Sequence, residues 1–175
     1  MATIHFPAPK PMAVVSAGAS AKSELCLSIA NRSDSGQATT AYLANDLFLH
    51  DLPLLINSID TYVNPRSLGI DQIRSGAEGW SPSFHASGEH WSFVRTGRDG
   101  WACEVAEKRR ISDNASIGLY WFAEASTHIN CYDKFFTKAE NIVFGEKYIA
   151  PTYRIMINED KKISYTDLPL KDVHV

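Results

Sequence analysis

Apolar positions along this chain recur at two spacings, and the change from one to the other marks its elements. Leu54-Leu55-Ile56 is a continuous apolar run, preceded by Pro53 and followed by Asn57-Ser58-Ile59-Asp60. A short run bounded in this way predicts a buried strand of an α/β sheet, here Leu54 to Ile59. Upstream, Ala38, Ala41, Tyr42 and Asn45 recur at helical spacing, with Leu43, Leu47 and Phe48 in a second stripe. They predict a helix to about His50, with Ser35 as its N-cap. A helix followed by a buried strand is half of a βαβ unit.

Beyond Asp60 the pattern shortens. A polar stretch predicts a short helix near Pro65 to Arg74. Strands are predicted over Gly79–Ala86, Trp91–Thr96, Trp101–Ala106, Ser116–Phe122 and Ile163–Leu168, the aromatic and β-branched positions carrying them. Gly97-Arg98-Asp99-Gly100 makes a hairpin of the second and third, with Trp91 and Trp101 expected to pack across it. Ala123–Ala139 has helical character, and Tyr148–Asn158 reads as a helix with Pro151 in its first turn. Residues 1–34 show neither period beyond a short strand-like run at Leu25–Ala30, and the expectation is weak order.

Composition narrows the classes. With 175 residues, 45% hydrophobic and 21% charged, the chain is long enough to bury a sizeable core as one domain. A net charge of −3 gives no electrostatic case for nucleic acid. No uncharged apolar run reaches the ~18 residues of a membrane span. Cys26, Cys103 and Cys131 lack CxxC spacing, which argues against a structural zinc site and suits a reducing, cytoplasmic setting. Cys103 is expected to be a buried small residue.

The candidate chemistry begins with Asp60. Ligands of open α/β sheets bind beyond the carboxyl ends of strands, so a carboxylate there is either a Mg2+ ligand beside a nucleotide or an ordinary loop carboxylate. Glu107-Lys108 is similarly open, between a binding pair and an exposed ion pair worth well under 1 kcal/mol.

Five segments in order resemble the sugar-phosphate nucleotidyltransferases, the family that includes glucose-1-phosphate thymidylyltransferases. They are Ser35-Gly36-Gln37-Ala38-Thr39-Thr40-Ala41, the strand ending at Asp60, Val105-Ala106-Glu107-Lys108, Ile111-Ser112 with Gly118-Leu119-Tyr120-Trp121-Phe122, and Gly145-Glu146-Lys147-Tyr148-Ile149-Ala150-Pro151-Thr152-Tyr153. The resemblance covers residues 35–175. It implies an α/β, Rossmann-like nucleotidyltransferase domain with a mixed central sheet, lacking the first βα unit. The reaction it implies joins a nucleoside triphosphate and a sugar 1-phosphate into an NDP-sugar, releasing pyrophosphate, with Mg2+ neutralising charge. By position, Asp60 would be the metal ligand. Gly36 and Gln37 would approach the nucleotide. Glu107, Lys108 and Gly118 would hold the sugar phosphate, with Trp91 and Ser92 on the sugar side.

The family's phosphate loop, G-x-G-[TS]-R, has no counterpart in this sequence, whose first glycine, Gly18, stands in Ser16-Ala17-Gly18-Ala19-Ser20. A second acidic metal ligand is likewise unassigned, although Asp172 lies near the end of the sequence. The expectation is therefore a partial, truncated or frame-disrupted nucleotidyltransferase of polysaccharide or capsule type, inactive or weakly active. The alternative is a non-catalytic module that binds a sugar phosphate or pairs with a complete subunit. Edges left open by the missing unit would favour oligomerisation.

Overall fold

Both faces of the strand Leu54–Ser58 are covered, which is why its first three residues can all be apolar. The computed structural model describes residues 36–58, 61–142 and 145–174, together with the strand at 13–17. In chain order the strands are β1 (Ala13–Ala17), β2 (Leu54–Ser58), β3 (Tyr62–Val63), β4 (Gly79–His85), β5 (Ser92–Thr96), β6 (Ala102–Glu107), β7 (Asn114–Ser116), β8 (Leu119–Phe122), β9 (Ile163–Leu168) and β10 (Val173–His174). The helices are α1 (Gln37–Leu43), α2 (Ala125–Phe135) and α3 (Tyr153–Asn158). Eight strands form one mixed sheet in the order β1-β2-β8-β4-β7-β5-β6, with β9 paired to the other side of β4; β3 and β10 make a separate ribbon. Pairing is parallel for β1–β2 and β4–β9 and antiparallel elsewhere.

Strand alternation divides the core in two. Leu54, Ile56, Val94, Tyr120 and Phe122 face the helical layer, where they meet Ala38, Ala41, Cys131, Tyr153 and Met156. Leu55, Phe93 and Leu119 face the opposite side, with Trp80, Phe84 and Leu168. Tyr153 ties the layers together, its hydroxyl donating to the carbonyls of Trp121 (2.7 Å) and Trp80 (3.1 Å).

Several expectations change in detail. β1 lies in a segment expected to be weakly ordered; its five residues pair in parallel with Leu54–Ser58, and that ladder supplies partners a periodicity argument does not see. Leu25–Ala30 and the Ser35 cap lie outside the described residues. The helix expected to reach His50 stops at Leu43 and continues as a single 3₁₀ turn, Asn45–Leu47, where Asn and Asp compete with helical bonding. The short helix near Pro65–Arg74 is only a 3₁₀ turn at Ile70–Gln72. Tyr148–Asn158 likewise opens with a 3₁₀ turn, Ala150–Thr152, before α3.

The strand expected over Ser116–Phe122 is broken into β7 and β8 at Gly118, which has φ +79°. The hairpin register sets Ser92 opposite Glu107, so Trp91 and Trp101 lie at opposite ends. Trp91 packs edge-on to Phe84, and Trp101 lies under Arg74. Cys103 is exposed rather than buried, on the outward side of the terminal strand β6. No helix among the described residues is long and apolar enough to cross a membrane.

Candidate functional site

The start of α1 is fixed by a close backbone approach. Gly36 has φ +93°, and a Cβ there would lie 2.7 Å from Lys147 N and 2.8 Å from Lys147 O, so a side chain cannot be accommodated. Ala38 N donates to Lys147 O (2.9 Å). The adjacent Gln37 Nε2 donates to Ser58 Oγ (3.1 Å) at the end of β2. Ser58 N donates in turn to Gly118 O (2.9 Å). A Cβ on Gly118 would stand 2.7 Å from Ser58 Cβ, so glycine sets the separation of β2 from the β7–β8 break.

A second cluster lies at the end of the β5–β6 hairpin. Ser92 faces Glu107 across the ladder, and its Oγ donates to Glu107 Oε2. Tyr120 Oη donates to the same Ser92 Oγ (3.3 Å). Burial raises the Glu107 carboxyl above the usual carboxylate range, while the Ser92 hydrogen bond and the Lys108 ammonium oppose that rise. Lys108 adopts φ +49°, in the left-handed region that lysine seldom enters, and its N–H donates to Trp91 O (2.9 Å). Its Nζ donates to Tyr148 Oη (2.6 Å) and lies 4.6 Å from the Tyr148 ring centroid. That hydrogen bond raises the Lys108 ammonium pKa. Burial, reinforced by Glu146, raises the Tyr148 phenol.

The two clusters close into one circuit. It runs from Gln37 through Ser58 and Gly118, along β8 to Tyr120, and on through Ser92 and Glu107 to Lys108. Tyr148 takes it from Lys108 to the neighbouring Lys147, and so back to Gly36. Lys147 is anchored outside the circuit, its Nζ donating to Tyr132 Oη (2.9 Å) and lying 5.3 Å from the Phe136 ring centroid. The five sequence candidates Gly36, Gln37, Glu107, Lys108 and Gly118 are therefore linked in one network of hydrogen bonds and chain neighbours. Asp60, two positions beyond Ser58, lies outside the described residues.

Ser58 and Tyr148 join the circuit without having been singled out. Tyr120, which the sequence leaves open between a core aromatic and a ligand platform, packs its ring edge-on against Tyr153 and reaches Ser92 Oγ with its hydroxyl. Tyr148 reads as the first residue of a helix. Trp91 donates its indole N–H to Ser87 O (3.0 Å) and takes no place in the circuit through its ring. Asp172 is committed elsewhere, accepting from Ser67 Oγ (2.8 Å) and Asn64 Nδ2 (3.2 Å), bonds that lower its pKa. Among the described residues no group of three or more His, Cys, Asp or Glu is placed to hold a metal ion. What the circuit offers is a partly buried carboxylate that accepts hydrogen bonds and an adjacent ammonium suited to an anion, held together by two glycines that let the chain pack closely on itself at Lys147 and Ser58.

No protein-family model and no curated protein matches the chain. Solved structures do. The chain is similar to a nucleoside-diphosphate-sugar pyrophosphorylase from Vibrio cholerae, with TM-score 0.68 and 26% identity, over 79% of this chain and 59% of that one. It is also similar to a putative glucose-1-phosphate thymidylyltransferase from Bacillus anthracis (TM-score 0.59, 14% identity, 79% of this chain and 55% of that one). A third likeness is to the inositol-1-phosphate CTP transferase from T. maritima, with TM-score 0.52, 10% identity and coverages of 75% and 51%. The chain has the sugar-phosphate nucleotidyltransferase fold. It spans between 51% and 59% of the length of these three structures.

Proposed function

We propose that this chain is a nucleotidyltransferase-type domain that recognises a sugar 1-phosphate and its NDP-sugar, and that, as the sequence stands, it transfers nucleotide weakly or not at all. The observation that carries the reading is the circuit itself, which joins Gly36 and Gln37 at the start of α1 to Glu107, Lys108 and Gly118. In this reading Glu107 accepts hydrogen bonds from sugar hydroxyls. Lys108, released from Tyr148, meets the phosphate, and Gly36 and Gln37 lie against the nucleotide. Mg2+ would arrive with the nucleotide phosphates, neutralising their charge, with Asp60 as its carboxylate ligand. The fold supports the substrate class, and the absence of a G-x-G-[TS]-R loop from the sequence supports weak or absent transfer.

The test is calorimetric titration with glucose 1-phosphate and dTDP-glucose, alongside pyrophosphate release from several nucleoside triphosphates with sugar 1-phosphates and Mg2+. Binding lost in Glu107→Ala and retained in Asp60→Ala, with little pyrophosphate formed, is the expected result. Sustained turnover abolished by Asp60→Ala would overturn the weak-transfer reading. Failure to bind any sugar phosphate or NDP-sugar would overturn the recognition reading.

A further inference from the structure

A carboxylate partly withdrawn from water at a sheet end is costly to keep ionised unless a donor is held against it. Glu107 has one such donor among the described residues, the Ser92 hydroxyl directly across the β5–β6 ladder. The Ser92 hydroxyl donates to Glu107 Oε2, and its single O–H is committed by that bond. Tyr120 Oη must then be the donor in its own contact with Ser92 Oγ, at 3.3 Å. Tyr120 comes from β8, which is not a neighbour of β5 in the sheet, so its hydroxyl pins the serine rotor from a separate element.

We propose that Ser92, held by Tyr120, is a positioning residue that keeps Glu107 ionised and oriented, leaving Oε1 to accept from a hydroxyl-bearing ligand. The inference rests on the reading of Glu107 as a sugar-hydroxyl acceptor and assigns the two residues that make it a good one. Lys108 and Glu146 are the other charged groups acting on Glu107, the first favouring ionisation and the second opposing it. Tyr148 acts only at one remove, through Lys108. Ser92 acts on Glu107 through a hydrogen bond, and Lys108 and Glu146 act through charge, so the serine contribution is separable from theirs.

The deciding measurement needs no ligand. In protein carrying 13C-labelled glutamate, the Glu107 carboxyl resonance is identified by its loss in Glu107→Gln and followed through pH. Ser92→Ala moves the titration midpoint to higher pH, Tyr120→Phe moves it the same way by less, and Ser92→Thr leaves it near the wild-type position. A purely structural role for Ser92 would change the unfolding temperature and leave the midpoint in place. Tyr120→Phe keeps the serine and the ring packing, so the test stands even where Ser92→Ala folds poorly. Midpoints of both variants coincident with wild type would overturn the proposal. Where dTDP-glucose binds the wild type, Ser92→Ala weakens it about tenfold, the loss of one hydrogen bond to a charged group. Absence of binding to the wild type would count against the functional reading alone, since the titration decides the relay independently.

Discussion

Replacing His128 with leucine removes a buried imidazole that has no hydrogen-bond partner among the described residues. His128 lies on α2 with no exposed surface, 5.1 Å from the Phe122 ring, and neither ring nitrogen is bonded among the described residues. Burial lowers its pKa from an ordinary value of 6.5 to about 4. The unfolded chain therefore takes up a proton more readily than the folded one, and acid favours unfolding. The stability at stake is fully present above about pH 6.5 and is lost as pH falls towards 4. A shift from 6.5 to about 4, at ~1.36 kcal/mol per pH unit, makes the loss roughly 3 kcal/mol. Urea unfolding at pH 7.5, 6, 5 and 4.5 measures it as a difference between wild type and His128→Leu, so that carboxylate titrations common to both cancel. The difference should grow in favour of the variant by about 1.4 kcal/mol for each pH unit below 6. A difference constant from pH 7.5 to 4.5 would show that His128 finds a partner or solvent when folded.

Glu107→Gln should raise the urea midpoint at pH 7 and not at pH 4, because a carboxyl whose pKa burial raises is stabilising in its protonated form and loses that contribution as pH rises. A midpoint equally changed at both values would count against this. Gly118→Ala should destabilise by about 2 kcal/mol or more, from the left-handed backbone and the approach to Ser58; thermal unfolding reads it, and Ser58→Gly in the same chain should restore part. Lys108→Gly should be more stable than Lys108→Ala by about 1 kcal/mol, since only the first relieves φ +49°. Equal unfolding temperatures would mean that the strain is released by local rearrangement.

Elements with strong local signals were legible before any tertiary contact was known. The run at Leu54–Ile56, the hairpin at Gly97–Gly100 and the strand Ile163–Leu168 form where the patterning places them, because apolar alternation and turn chemistry act over a few residues. Gly36, Gln37, Glu107, Lys108 and Gly118 were legible as candidates from short motifs in a characteristic order. How those motifs connect came from long-range packing. Tyr120 has the same alternation whether its hydroxyl is idle or pins Ser92, and that depends on how far the break at Gly118 swings β8 from β7. The exposure of Cys103 and the separation of Trp91 from Trp101 follow from a hairpin register and a sheet order that no local pattern encodes. β1 escaped the sequence reading for the same reason: Ala-Val-Val-Ser-Ala is too short to declare a period, and its ladder comes from a parallel neighbour far along the chain, Ala13 pairing with Leu54. Local patterning reports which face a residue presents; the long-range pairing decides what that face meets.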